Sequence, residues 1–290
     1  MRKAKKISRL IGICVVSIST YFIGCQNAVE IDFPLLYEGD RIVILSNLLE
    51  GQEVFVQLYT TSAPLDTFIL DSFYVQNADV RLFENDSVYH LMHIGSGIYK
   101  ASKPLFAKSG NTYRIEASAP GFPQAYSDSE VVPPRGTISN VSWMPIEPLN
   151  QYDGILSFDV QIPSDFPFDI IITGIAGSEA TSPEYDITQG IGLFCESVVL
   201  VQECLTEDGH IEIQVNKEYW NGNETLINTH LRILLIVLSP AQKAYEESTT
   251  LQEDAFDYPF ISNSSPYTNI HNGYGLLSSS AENEVVIEIH

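Results

Sequence analysis

The chain has 290 residues, 44% hydrophobic and 11% aromatic, with 15 Lys and Arg against 37 Asp and Glu for a formal charge of −22 at pH 7. That apolar content excludes a disordered acidic tail. The negative balance excludes nucleic acid as a partner, and with it an anionic membrane surface.

The chain opens MRKAKKISRL, with five of the fifteen basic residues and no acid, followed by the short apolar run Leu10 to Gly24. A membrane-crossing helix needs about 20 apolar residues. This run is shorter and contains Ser17, Ser19 and Thr20, so residues 1–24 read as a secretory signal peptide. Phe22-Ile23-Gly24-Cys25 resembles the bacterial lipobox. The resemblance implies cleavage before Cys25 and acylation of that residue, palmitate included, with residues 25–40 as the lipidated linker. Ten basic residues then remain against 37 acidic ones, a formal charge of −27.

Residues 41–132 are expected to form an N-terminal β-sandwich. Strand-like runs cover 41–49, 53–59, 78–84 and 87–93, and Tyr113, Ile115 and Ala117 alternate with Arg114 and Glu116. Asn85-Asp86 between two such runs predicts a tight hairpin. The stretch GSGIYKASKPLFAKSGNTYRIEASAPGF, 95–122, resembles carboxypeptidase-regulatory-like and prealbumin-like β-sandwiches. In it each Gly turns the chain, and Tyr99 and Tyr113 plug the core one strand later. VVPPRG then marks a boundary, with residues 133–136 as a Pro-rich linker.

Residues 137–290 are expected to form a second β domain, an antiparallel sandwich with one short helix. Leu156, Phe158, Val160 and Ile162 share one face, and strands are expected at 168–176, 211–215 and 284–289. Ser239-Pro240 supplies an N-cap and a first-turn proline for a helix over AQKAYEESTTLQ. The segment QEDAFDYPFISNSSPYTN reads as a loop. Cys195 and Cys204 are spaced for a disulfide closing a hairpin-like loop, against two separately buried thiols.

The chain carries no G-x-S-x-G, H-E-x-x-H, phosphate-loop or dinucleotide fingerprint. His90 and His93 fall on opposite faces of a strand, so no metal site and no cofactor are expected. Asp165 and Asp169, and the acids around Ala255-Phe256, read as solvated loop carboxylates. Phe256, Tyr258, Phe260 and Tyr267 are the candidate interaction residues, as aromatics in a polar, Pro-containing segment. Asp86-Ser87-Val88 resembles an envelope O-glycosylation site, which makes Ser87 the candidate acceptor.

LRILLIVLSPAQKAYEE followed by DYPFISNSSPYTNIHNGYGLLSSS, within 231–280, is similar to the C-terminal signature of a Bacteroidetes lipoprotein family catalogued as domain of unknown function 4249. Thr268-Asn269-Ile270 and Gly273-Tyr274-Gly275 match it, and Leu277 stands where Phe is commoner. The resemblance implies an outer-membrane lipoprotein without established activity, often encoded beside TonB-dependent transporters. Gln26-Asn27-Ala28-Val29 directly follow Cys25, and the first acids come later, at Glu30 and Asp32, so the leaflet it faces stays open. The expected function is a non-catalytic accessory binding subunit of an envelope complex. The competing expectation is a glycan-directed surface hydrolase using paired loop carboxylates.

Overall fold

Burial alternates with a two-residue period along the strands of the computed structural model, which describes residues 39–63, 73–146, 154–163, 165–176, 184–186, 209–215, 218–220, 225–257 and 265–289. The first strands are β1 (Ile42–Leu49), β2 (Val56–Thr60), β3 (Asp79–Glu84), β4 (Ser87–Gly95), β5 (Ile98–Ala101) and β6 (Thr112–Ser118). Short β7 (Ala125–Ser127) and β8 (Glu130–Val131) follow, then β9 (Thr137–Pro145), β10 (Gly154–Gln161), β11 (Phe168–Ala176) and β12 (Glu184–Asp186). The remainder is β13 (His210–Val215), β14 (Glu218–Trp220), β15 (Thr225–Leu238), helix α1 (Pro240–Asp257), β16 (Ile270–His271) and β17 (Tyr274–Glu288).

Among the described residues one large sheet runs β12-β11-β15-β17-β1-β2-β5-β4-β3-β6-β7-β16, with β14 attached to β15 and β8 to β6. A smaller sheet has the order β13-β10-β9. The fold is all-β and sandwich-like, as the alternation predicts. One core cluster draws on Ile42 through Val132 together with Ile270 and Leu277. The other packs β10 and β13 against β11 and β15, and adds Ile289. The change from one core to the other falls across Val132–Ile138. There Arg135 pairs with Glu50, and Asn283 Nδ2 donates to the Gly136 carbonyl at 2.9 Å.

The local predictions hold where side chains speak for themselves. Tyr99 and Tyr113 are buried in the first core. Their hydroxyls donate to the Val75 carbonyl at 2.8 Å and to Glu84 Oε1 at 2.9 Å. Asn85, at φ 49°, closes the hairpin in which Glu84 faces Ser87.

Two expectations need correction. First, pairing is not antiparallel throughout, because β1 and β17 run parallel from Val43↔Tyr274 to Leu49↔Ser280. Leu276 through Ala281 are buried in unbroken succession, the pattern of a strand covered on both faces rather than of alternation. Second, the loop expected from Gln252 starts later. Helix α1 runs to Asp257 and includes Phe256. Nothing in Glu253-Asp254-Ala255 breaks a helix, and Tyr258, ahead of Pro259, is the first residue biased against one.

The helix starts as its sequence predicts. Gln242 N donates to Ser239 Oγ at 3.2 Å, and Pro240 fills the position that needs no amide donor. Ser239 N in turn donates to the Ser279 carbonyl at 2.9 Å, which fixes the helix start on β17.

Candidate binding surfaces

The outer face of β4 is apolar. Tyr89, Leu91 and His93 turn inward, while Val88, Met92 and Ile94 project outward with 49, 54 and 60% of their surface exposed. β4 pairs with β3 over Ser87–Leu91 and with β5 over Leu91–Gly95, so among the described residues each half of the strand has a ladder partner on one side, and the apolar row lies on its outer face. Cations flank it: Met92 lies opposite Lys100, His90 opposite Arg81, and Val88 opposite Phe83. The Arg114 guanidinium sits 4.1 Å from the centre of the Phe83 ring. Large apolar side chains in a row with Arg beside them have the composition of a protein interface.

A second surface is an open groove of about 290 Å³ between α1 and the outer faces of β1 and β2. Leu45 and Leu276 line its apolar part, and Phe55 and Tyr245 add two aromatic rings, 40 and 36% exposed. Asn47, Gln57 and Gln242 contribute amides. Ser46 and Ser278 complete the lining, with hydroxyls donating to the Phe55 carbonyl at 2.8 Å and to Asn47 Oδ1 at 3.4 Å. Gln242 and Tyr245 are one turn apart on the helix, which puts both on the groove side.

Behind these surfaces lie two buried carboxylates with structural partners. Glu84 closes the β3–β4 hairpin against the following turn. Its Oε1 accepts from Asn111 Nδ2 at 2.8 Å, Tyr113 at 2.9 Å and Lys108 Nζ at 3.1 Å, and its Oε2 from Tyr89 at 3.0 Å. Burial opposes its charge, but donors from Asn111, Lys108, Tyr113 and Tyr89 outweigh that and hold its pKa below the usual value. Burial pushes the Tyr113 hydroxyl up to about 12. Glu130 is buried at the start of α1, where its partners among the described residues are the hydroxyls of Ser239 and Ser279, and desolvation raises its carboxyl.

The C-terminal signature is explained by close approach of two strands. A Cβ at Gly273 would lie 2.4 Å from the Ile42 carbonyl oxygen, and one at Gly275 would lie 2.0 Å from that of Ile44. Asn269 Nδ2 donates to the Leu277 carbonyl at 2.7 Å, and Leu277 N donates back to Asn269 Oδ1 at 3.0 Å. This pattern, with the rest of the chain, meets the model of one family, described as "Domain of unknown function (DUF4249)", over residues 27–285. The chain belongs to the DUF4249 family. In this DUF4249 chain Gly273 and Gly275 let the chain lie close against β1, and Asn269 ties the preceding segment to β17.

No curated protein matches this DUF4249 chain. Among solved structures, a mutant of Salmonella alpha-2-macroglobulin aligns at 11% identity over 86% of this chain and 15% of its own length, with a TM-score of 0.25. A marsupial T cell receptor aligns at 8% identity over 68% of this chain and 81% of its own, TM-score 0.24. Extracellular domains 3-5 of Drosophila OTK align at 10% identity over 71% and 63%, TM-score 0.19. Likeness at these scores carries no argument about activity.

Of the residues singled out from the sequence, Cys25, Cys195, Cys204, Tyr258 and Phe260 lie outside the described residues. Phe256 is in the last turn of α1 rather than in a loop. Tyr267 is partly exposed, and its backbone N donates to Ser248 Oγ at 2.8 Å, tying the return segment to the helix. Its hydroxyl pKa is raised by burial and by the charges of Asp128 and Glu130. Ser87 is exposed at the first position of β4, beside the apolar row. His271 Nε2 lies 2.7 Å from Asp128 Oδ1, and the ring stacks on Tyr126. Asp169 pairs with Lys243 at 3.4 Å. Sequence reasoning passed over β4 and the groove. The available signal was that Val88, Met92 and Ile94 are apolar on a strand whose opposite face is apolar too.

Proposed function

We propose that this DUF4249 protein is a lipid-anchored, non-catalytic accessory subunit of the bacterial cell envelope that binds a membrane protein partner through the outer face of β4. The observation that carries the reading is the exposed row Val88, Met92 and Ile94 on the outer face of β4, beside Arg81, Lys100 and Arg114. Such a row is costly to leave in water, and a partner's apolar patch would cover it. Arg81 and Arg114 pair with Glu116, and Lys100 with Glu53, so the rim beside the row is balanced in charge. Acylation at Cys25 would confine the head to the membrane layer, where even a modest interface stays occupied. The family resemblance supports the outer membrane as the location and a TonB-dependent transporter as the partner. A Cys195–Cys204 disulfide belongs to the same export reading.

The test is purification of the processed protein from native membranes, with Met92→Asp and Ile94→Asp together. Both side chains are mostly solvent-exposed, so melting should be unchanged while the co-purifying membrane protein is lost. Retention of that protein at full yield would refute the surface. Cys25→Ala tests the anchor separately, by intact mass and by release into the soluble fraction.

A further inference from the structure

We infer that the groove between α1 and the β1–β2 face is a binding site for an uncharged oligosaccharide. The chain after Cys25 carries 37 acidic residues, yet Leu45, Ser46, Asn47, Phe55, Gln57, Gln242, Tyr245, Leu276 and Ser278, which line the groove, include no ionisable acid or base at neutral pH. A neutral lining in so acidic a chain selects against charged ligands in both directions: nothing pairs with an anion, and nothing neutralises a cation. Phe55, just ahead of β2, and Tyr245 from α1 present partly exposed rings, the surface on which the C–H faces of a sugar ring pack.

The polar groups distinguish a sugar from an apolar peptide. Ser46 is committed to the Phe55 carbonyl and Ser278 to Asn47 Oδ1. Gln57 Nε2 donates to the Ser96 carbonyl at 3.3 Å, and Gln242 Nε2 to Glu246 Oε1 at 2.8 Å. These bonds hold the two glutamines in place with their carbonyl oxygens left to accept. Among the described residues the Asn47 amide nitrogen and the Tyr245 hydroxyl have no partner within the chain. An apolar segment laid into the groove would strip water from these groups without replacing it. A sugar supplies hydroxyls that donate to the glutamine oxygens and accept from Asn47 and Tyr245. A volume of about 290 Å³ is at the lower limit for small-molecule sites. The groove is open, so a short stretch of a longer chain fits with its ends in solvent.

The experiment uses the processed chain, residues 25–290, carrying Cys25→Ala so that no lipid contributes to binding. It is applied to an array of neutral oligosaccharides and uronic-acid oligosaccharides. Binding is expected to neutral members only. Phe55→Ala and Tyr245→Ala should each weaken it by about tenfold with unchanged melting, and Asn47→Ala should weaken it without removing a ring. The Met92→Asp, Ile94→Asp variant should bind sugars normally, which separates this site from the partner surface on β4. Preference for acidic sugars, neutral binding indifferent to all three groove substitutions, or no binding to any member would each overturn the inference. Loss of a co-purifying protein on Tyr245→Ala, with no sugar bound, would assign the groove to a peptide instead.

Discussion

Gly275→Ala should be among the most damaging single-methyl additions in this protein. Gly275 sits in β17 at φ 113° and faces Ile44 of β1 in the parallel ladder. A Cβ there would be 2.0 Å from the Ile44 carbonyl oxygen and under 3.0 Å from two further backbone atoms. Restoring even a 3.0 Å contact means parting the two strands by about 1 Å, enough to carry a 2.9 Å backbone hydrogen bond out of range. Ile44 cannot yield, because it is fully buried and β1 is also paired to β2. Backbone strain at this φ contributes about 1–3 kcal/mol. A buried backbone group left without a partner contributes a similar amount. The sum, about 2–6 kcal/mol, is a large part of the stability of a typical domain. Gly110→Ala is the control: its φ is 76°, but a Cβ there would meet nothing within 4 Å, so only the strain remains. Urea unfolding of the two variants measures the difference. Equal losses would mean that strand contact has nothing to do with the glycine at 275, and the account of the signature would fail.

Three further outcomes are expected. Glu84→Gln should lower stability at pH 7 by roughly 2–3 kcal/mol, since four donors lose a charged acceptor. Because the Glu84 pKa is lowered in the folded state, its contribution is present above the unfolded value and fades as pH falls through the folded one, so mutant and parent should converge in acid. Glu130→Gln should act in the opposite sense. Its carboxyl is raised by burial, so the stability it allows is complete below the unfolded pKa and lost as pH rises through the folded one. The variant should therefore melt above the parent at pH 8, with the gap closing on acidification. Asn269→Ala should cost about 2–4 kcal/mol by chemical unfolding, because it leaves both polar groups of the Leu277 backbone unpaired in a buried site.

Strand β11 was legible to the residue: FDIIITGIA, 168–176, is rich in β-branched side chains and matches Phe168–Ala176. The start of α1 was legible because Ser239 and Pro240 act within one turn. The first half of β17 was not. Two glycines and Ser278-Ser279-Ser280 look like a loop, and only a helix on one face and a core on the other make small side chains suitable there. Parallel pairing was hidden for the same reason, since local pattern carries no record of which distant strand lies alongside. The groove gave the least warning. Asn47 comes from β1, Phe55 from the connection ahead of β2 and Tyr245 from α1, and no spacing along the chain announces that they meet.

The pairing of β1 with β17 also has a consequence in time. Asn47 and Ser278, neighbours in the β1–β17 ladder, are 231 positions apart. Closing a loop of that length costs about 5 kcal/mol in chain entropy before any contact repays it. Intervening structure that forms first shortens the effective loop, so β9 to β15 are expected to organise before the first core can close. Until then one side of β1 is an open edge with its amides and carbonyls unpaired. Another copy's β17 could occupy that edge as well as the chain's own. Folding at high concentration should therefore favour strand-exchanged dimers, and dilution should favour monomers.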